Sequence, residues 1–369
     1  MQRQLVLGLS AIISSIAAHG SIAQVPAGLR ELPMVRIVEN DSLFLTRPIE
    51  ITLGPGGLVF VTEASEARVL GITPTGRIEK SFGRQGRGPG EFVSPATLAV
   101  AGDSLLLVFD RGQRRITSVK LPSWTLGAIV PLPEAWPPTM RVVSGAVLVR
   151  SYDWDQKTSL AQLDAAGTLV NREGVIPDIG LKYPMLIQGA FPGAIFALVG
   201  TTAYAMFEVS PALYQWPRGA RVATAITLPA PRRHGVRTEV FEQLLQDPAN
   251  AARNQELLQN RSVPVAMEPM TSSMLVLVTK DVAVANDSQT VVHHVTVVDL
   301  QRRRACSDLA IPSLRGRFSM RDPHPPVAVR GDTLVMLDDV PDSRGEPGPA
   351  LRRFRIEPAR CEQWHALTP

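Results

Sequence analysis

Two stretches decide the fold: Val61-Thr62-Glu63-Ala64-Ser65-Glu66-Ala67-Arg68-Val69 and Val108-Phe109-Asp110-Arg111-Gly112-Gln113-Arg114-Arg115-Ile116. They superimpose without a gap. Each runs through apolar residues, stops at an acid (Glu63, Asp110), crosses a polar turn and restarts at an arginine (Arg68, Arg115) followed by a β-branched residue. That spacing predicts a hairpin in which the acid ends one strand and the arginine begins the next. Facing each other across the turn, the two are expected to form a charge-assisted hydrogen bond.

Between the two hairpins lies Phe82 to Phe92, FGRQGRGPGEF, followed by Val93, Ser94 and Pro95. Its glycines invite comparison with a phosphate cradle, with Arg84 and Arg87 as anion contacts. The segment lacks the Gly-Lys-Ser/Thr ending of a P-loop, and Pro95 bars the helix whose N-terminus such a loop needs. Glu91 stands where a dinucleotide fingerprint requires glycine. Gly83, Gly86, Gly88, Pro89 and Gly90 are therefore read as a structural crossover between two sheets.

Outside this region, short β-rich runs recur at Gly57–Thr62, Ser104–Asp110, Gly145–Arg150, Gly193–Val199, Ser273–Val278 and Asp332–Asp338. The first four start at intervals of roughly 40 to 50 residues, which a four-stranded propeller blade consumes. The last two intervals are longer and require insertions. One is expected over residues 238–261, where Val240, Phe241, Leu244 and Leu245 lie at helical spacing, Pro248 interrupts, and Leu257 and Leu258 resume.

The acid-to-arginine hairpins and the glycine-rich crossover resemble NHL-repeat propellers and the related TolB-like propellers, with Glu66 and Gln113 at the position those repeats give to asparagine. The resemblance is specific from Ile49 to Leu132 and architectural elsewhere. It implies an all-β, six-bladed β-propeller of four-stranded antiparallel blades, formed by residues 24–369 as one domain. Ring closure needs a strand borrowed from the other end of the chain, since an open sheet edge would otherwise remain. Residues 31–39, alternating around Leu32, Met34, Arg36 and Val38, are the expected closing strand, beside Leu351–Ile356.

Composition agrees with a turn-rich globular protein: 45% hydrophobic residues, with 31 prolines and 28 glycines scattered over 369 residues. A net charge of +4 carried mostly by arginine is too small an excess to indicate nucleic acid as a partner. At the N-terminus, Arg3, the apolar run Leu5–Ala18 and the small residues Ser21-Ile22-Ala23 have the layout of a secretory signal peptide, with cleavage expected after Ala23. No later segment approaches the roughly 20 apolar residues needed to cross a bilayer, and no cysteine near residue 23 offers a lipid-attachment point. A periplasmic or secreted monomer without a membrane span in the mature chain is the expectation. Sequons at Asn40, Asn260 and Asn286 matter only in a eukaryotic secretory pathway.

The chain has two cysteines, Cys306 and Cys361. In an oxidising compartment they could bridge, closing a loop worth about 4 kcal/mol in the chain-entropy model. Both follow similar local sequence, Arg304-Ala305 and Ala359-Arg360, as if each closed a third strand, and equivalent outer positions of neighbouring blades splay beyond bonding distance. Bridged and free states are both left open.

No motif fixes a chemistry. His293 and His294 are neighbours in an alternating strand and point to opposite faces, so they cannot chelate one metal together. Asp153 with Asp155, and Asp338, Asp339 and Asp342, could supply oxygens to calcium, but Lys157 and Pro341 intrude, and hairpin turns explain both runs. Arg302–Arg304 and Arg352, Arg353 and Arg355 read as charges guarding sheet edges. Catalytic residues, metal ligands and cofactor are thus unassigned. The expected function is a binding or scaffolding module that holds a protein or small molecule on one face, over the channel. The alternative is a propeller enzyme such as a metal-dependent lactonase, a lyase or a quinone dehydrogenase, whose site residues converge from several blades and leave no local motif.

Overall fold

The computed structural model describes residues 25–368, apart from 133–139, 144–145, 151–152, 154, 165–167, 177–193, 208–209, 230–260, 286–287 and 312–325. The signal peptide expected over residues 1–23 lies outside the described residues, as does the helical insertion expected over residues 238–261, save Arg261.

Six antiparallel sheets follow one another along the chain. Strand β1 (Leu29–Arg36) comes first but belongs to the last sheet. Blade one is β2 (Pro48–Leu53), β3 (Val59–Glu63), β4 (Arg68–Ile72) and β5 (Ile78–Phe82), and blade two is β6 (Pro95–Ala101), β7 (Leu105–Asp110), β8 (Arg115–Lys120) and β9 (Thr125–Pro131). Blade three comprises β10 (Met140–Val143), β11 (Ala146–Arg150), β12 (Thr158–Leu163) and β13 (Leu169–Val175). Blade four holds β14 (Ala194–Val199), β15 (Thr202–Phe207), β16 (Ala212–Pro217) and β17 (Thr224–Thr227). In blade five, β18 (Arg261–Pro269), β19 (Met274–Ala285), β20 (Ser288–Asp299) and β21 (Arg304–Ile311) gain a fifth strand, β25 (His365–Ala366). Blade six is β22 (Val327–Arg330), β23 (Thr333–Pro341) and β24 (Pro347–Ile356), completed by β1.

First strands pack against one another between blades one and two, two and three, four and five, five and six, and six and one, so each blade begins at the centre and ends at the rim. One apolar cluster fills each gap between neighbouring blades. Phe60, Val69, Leu98 and Val108 lie between blades one and two, and Ile51, Val61, Val335 and Leu351 between blades six and one. Strand β3 shows why the runs looked continuously apolar. Val59 and Val61 face blade six while Phe60 faces blade two, so both sides of the strand are buried and the polar alternation of a one-sided sheet disappears. The all-β six-bladed propeller expected from the sequence is the observed architecture.

The closing strand pairs Leu29 with Ile356 and Arg36 with Ala350. It covers residues 29–36, shifted toward the N-terminus from the expected 31–39. Residues 193–199 contain β14, a first strand, whereas the other five runs are second strands. Small apolar residues in both Ala194–Val199 and Thr202–Phe207 make the two strands of blade four look alike.

Candidate functional site

The turns between second and third strands share a face with the crossovers between blades, because they hydrogen-bond to each other. Glu63 and Arg68 are register partners, as are Asp110 and Arg115. The expected acid–arginine bond is nevertheless absent from both hairpins. The buried Asp110 carboxylate accepts from the backbone N–H groups of Val93 (2.8 Å), Ser94 (3.0 Å), Gly112 (2.9 Å) and Gln113 (3.2 Å), and from Gln113 Nε2 (2.8 Å). Arg115 reaches past it to donate to the carbonyls of Gly88 (2.7 Å) and Glu91 (2.8 Å). In blade one, Glu63 accepts from Arg47 N (2.6 Å) and Glu66 N (3.0 Å), while Arg68 donates to Ser42 O (2.8 Å) and lies over the Phe44 ring. The cause is local: a short carboxylate at a strand end meets the orphaned N–H groups of its own turn first, and the long guanidinium reaches the orphaned carbonyls of the crossover.

The turn has a further backbone signature. The residue before the arginine takes a left-handed conformation, at Ala67 (φ 48°) and Arg114 (φ 51°). The same arrangement recurs where the sequence did not announce it. Asp153 precedes Lys157 (φ 60°) and accepts from Asp155 N and Gln156 N. Asp299 precedes Arg303 (φ 50°) in the β20–β21 turn, between third and fourth strands and so on the opposite face. Here the acid does meet its arginines: Asp299 Oδ2 lies 3.1 Å from Arg302 and 3.4 Å from Arg304. Burial raises the Asp299 carboxyl, but Arg302 N–H and both guanidinium groups outweigh it and hold the group below the ordinary carboxylate range. The basic run at residues 302–304 is thus part of a hairpin turn, beyond the edge-guarding role expected of it.

The crossover spends its polar groups on itself. Glu91 folds back to accept from Gly88 N–H (2.8 Å) and Arg84 (2.8 Å), and these contacts hold its carboxyl below the usual range. Gln113 Nε2 donates to Gly86 O and Glu91 O. Gly83 sits at φ +94°, where a Cβ would come within 2.4 Å of the Phe92 ring. The amide an anion would seek, that of Gly88, is already given to Glu91. Pro89 is exposed at the loop tip, and Gly90 completes the turn at φ +75°.

Cys306 and Cys361 are bonded, with Cα atoms 6.3 Å apart. The positions are not equivalent, which removes the geometric objection: Cys306 lies in a fourth strand, and Cys361 follows a third strand and a 3-10 turn over Pro358–Arg360. From there the chain doubles back. His365 and Ala366 pair with β21, Arg304 packs over Trp364 (4.3 Å), and Thr227 N donates to Thr368 O at the rim of blade four.

The other sequence candidates are scattered. His293 and His294 are both buried in β20, and His294 Nε2 lies 3.2 Å from Asp281. Asp338 pairs with the buried Arg352 (3.5 Å), and Asp342 caps its turn through Arg344 N and Glu346 N. Among the described residues, no group of three or more His, Cys, Asp or Glu could hold a metal ion.

The convergence occurs instead in the central channel, on residues the sequence reading passed over. Arg141 of β10 meets Glu268 of β18 at 2.7 Å and donates to Met140 O (2.9 Å) and Met267 O (3.3 Å). Glu50 of β2 accepts from Leu98 N of β6 (3.4 Å) and feels the Arg141 charge. Arg330, the last residue of β22, acts electrostatically on Glu268 and donates to Leu53 O (3.3 Å), with exposed Asp103 3.4 Å away. Burial pushes the Glu50 carboxyl up to about 8, against smaller lowering by Leu98 N–H and Arg141. Glu268 is raised by the same desolvation, partly offset by Arg141 and then Arg330. One signal could have found these residues: each is a lone charge beside apolar residues in a short strand, as in Ile49-Glu50-Ile51 and Met140-Arg141-Val142.

Such a channel, ringed by charged groups from blades one, three, five and six, defines the chain as a six-bladed β-propeller with a polar axial site. The comparisons agree on the fold. A Bacteroides fragilis protein predicted to be exported shares it at a TM-score of 0.61 and 12% identity, over 89% of this chain and 95% of that one. A member of the duf4221 family from Bacteroides vulgatus does so at a TM-score of 0.59 and 9% identity, over 89% and 98%. No protein-family model matches the chain, and no curated protein matches it. Among the described residues, no helix is long and apolar enough to cross a membrane.

Proposed function

We propose that this protein is an exported, NHL-like propeller that acts as a binding module and takes a small molecule into its central channel. One observation carries the reading: charged side chains from four separate blades converge on the axis, although placing them in low-dielectric surroundings is costly. Export is supported by the N-terminal pattern of residues 3–23 and by the Cys306–Cys361 disulfide, which belongs to an oxidising compartment. Kinship with NHL-repeat and TolB-like propellers is supported by the acid, left-handed residue and arginine of the first two hairpins.

The test is native mass spectrometry of the mature protein purified from its own compartment. A small molecule in stoichiometric amount, released on unfolding and missing from Arg141→Ala, is the expected result. A macromolecular partner retained equally by wild type and Arg141→Ala, with no small molecule, would overturn it. A second reading, that of a propeller enzyme, is favoured by Glu50: a carboxyl pushed by burial to about 8, on a strand at the axis, suits general acid–base work near neutral pH.

A further inference from the structure

We propose that the loops joining blades one and two form a docking surface for an acidic polysaccharide, separate from the channel and its ligand. Two segments build it. The crossover over residues 84–91 lies against the hairpin turn over residues 110–115, since Gln113 Nε2 donates to Gly86 O (3.3 Å) and Glu91 O (3.0 Å), and Arg115 donates to Gly88 O (2.7 Å). Together they carry five arginines, Arg84, Arg87, Arg111, Arg114 and Arg115, against two carboxylates, Glu91 and Asp110. Most of the excess in a chain whose net charge is +4 is thus gathered on one pair of loops.

The two carboxylates are spent. Asp110 is buried on backbone N–H groups, and Glu91 holds Arg84 and Gly88 N–H. Arg87, Arg111 and Arg114 are exposed, and among the described residues their guanidinium groups have no ion pair and no hydrogen bond. Their backbones are held: Arg111 N donates to Ser94 O (2.9 Å), and Arg114 O accepts from Leu132 N (2.8 Å). A fixed backbone lowers the ordering cost of binding. The fold does not demand this charge. The matching segments of blade one, residues 37–47 and 63–68, place Glu39, Asp41, Glu63 and Glu66 against Arg47 and Arg68, so the same architecture is acidic one blade earlier.

The partner class follows from what surrounds the arginines. Neither loop contains a large apolar residue, so the surface lacks the anchor of a protein interface and the inserted group of stable membrane attachment. A hydrated glycan with anionic groups repeated along it needs neither. Each guanidinium fork can take one carboxylate or sulfate, and a flexible chain engages several forks at once.

Affinity electrophoresis of the full mature protein through gels containing polygalacturonate, dextran sulfate or neutral dextran tests this, with polyglutamate and phosphatidylglycerol vesicles as competitors. We expect retardation by at least one acidic polysaccharide and none by dextran, with release at high salt. The triple variant Arg87→Gln, Arg111→Gln, Arg114→Gln should bind about tenfold more weakly, as three exposed ion pairs of ordinary strength give. Each single substitution should cost about twofold, which keeps the test open if the triple variant folds poorly by its urea midpoint. Arg303→Gln, Arg355→Gln, Arg360→Gln, which remove equal charge on the opposite face, should change binding less than about twofold. Equal loss in both triple variants would overturn the docking surface, because net charge alone would then explain the retardation. Tighter binding to polyglutamate or to the vesicles than to either polysaccharide would overturn the partner class, and retardation insensitive to salt, or none, would overturn the proposal.

Discussion

Arg141 and Glu268 meet at 2.7 Å although they lie on the first strands of blades three and five. The pair fastens two blades that are not neighbours in the ring. Both side chains are largely withdrawn from water, at 23% and 26% exposure. Glu268→Gln leaves a guanidinium without its counter-charge, and we expect a loss of about 1–3 kcal/mol, seen as a lower urea midpoint at unchanged m-value.

Asp110 should be the more costly acid. It is fully buried and satisfies four backbone N–H groups and one side-chain amide in two different connections. Asp110→Ala strands those donors together, and about 3 kcal/mol or more should be lost in thermal or chemical unfolding. Arg115→Ala removes donors to Gly88 O and Glu91 O that partly face solvent, and should cost about 1 kcal/mol.

Reduction of the disulfide releases the returning tail. Cys306 and Cys361 are 55 residues apart, so the chain-entropy model gives about 4 kcal/mol. We expect Cys361→Ser to lower stability on that scale and to raise hydrogen exchange first at residues 365–368, which hold only short pairings to β21 and to Thr227.

Glu50 gives stability a distinctive pH dependence. Its carboxyl is raised from 4.5 to about 8 in the folded protein. Between those values the native state holds a proton that the unfolded chain has lost, so stability falls as pH rises from about 4.5 to 8. Glu50→Gln removes this slope. At pH 8 it should exceed wild type by about 2 kcal/mol, a figure reduced from the full linkage because Glu50 is only half-buried and solvent screens it. Parallel denaturant titrations at pH 5 and pH 8 read the difference directly.

Gly83→Ala tests the crossover separately. Its φ of +94° and the Phe92 ring 2.4 Å from a would-be Cβ predict a loss of about 2 kcal/mol, visible in the melting temperature.

What the sequence revealed follows physical range. The hairpins at residues 61–69 and 108–116 were legible because acid, turn and arginine lie within nine residues and face each other by register. Their side-chain partners were not, since Val93, Gly88 and Ser42 reach the turn only once neighbouring segments have folded over it. Asp299 and Arg304 repeat the pattern within reach of inspection, but two flanking arginines disguised the turn as a charged edge. The disulfide depended on a reversal of the chain after Pro358, which no local periodicity marks. The channel was hidden for another reason: Glu50, Arg141, Glu268 and Arg330 become neighbours only through the closed ring, and alone each looks like an isolated charge in a strand.

Strand β1 carries a consequence for biosynthesis. Its partner β24 spans Pro347–Ile356, so β1 leaves the ribosome long before the strand that covers its edge. During that interval a bare β-edge is a template for wrong partners. β1 is built for the wait: Pro33 withholds a donor, the register slips between Leu32 and Val35, and Arg30, Glu31 and Arg36 deter a second copy from zipping alongside. The strand that seals the ring is thereby a poor nucleus for aggregation in nascent chains.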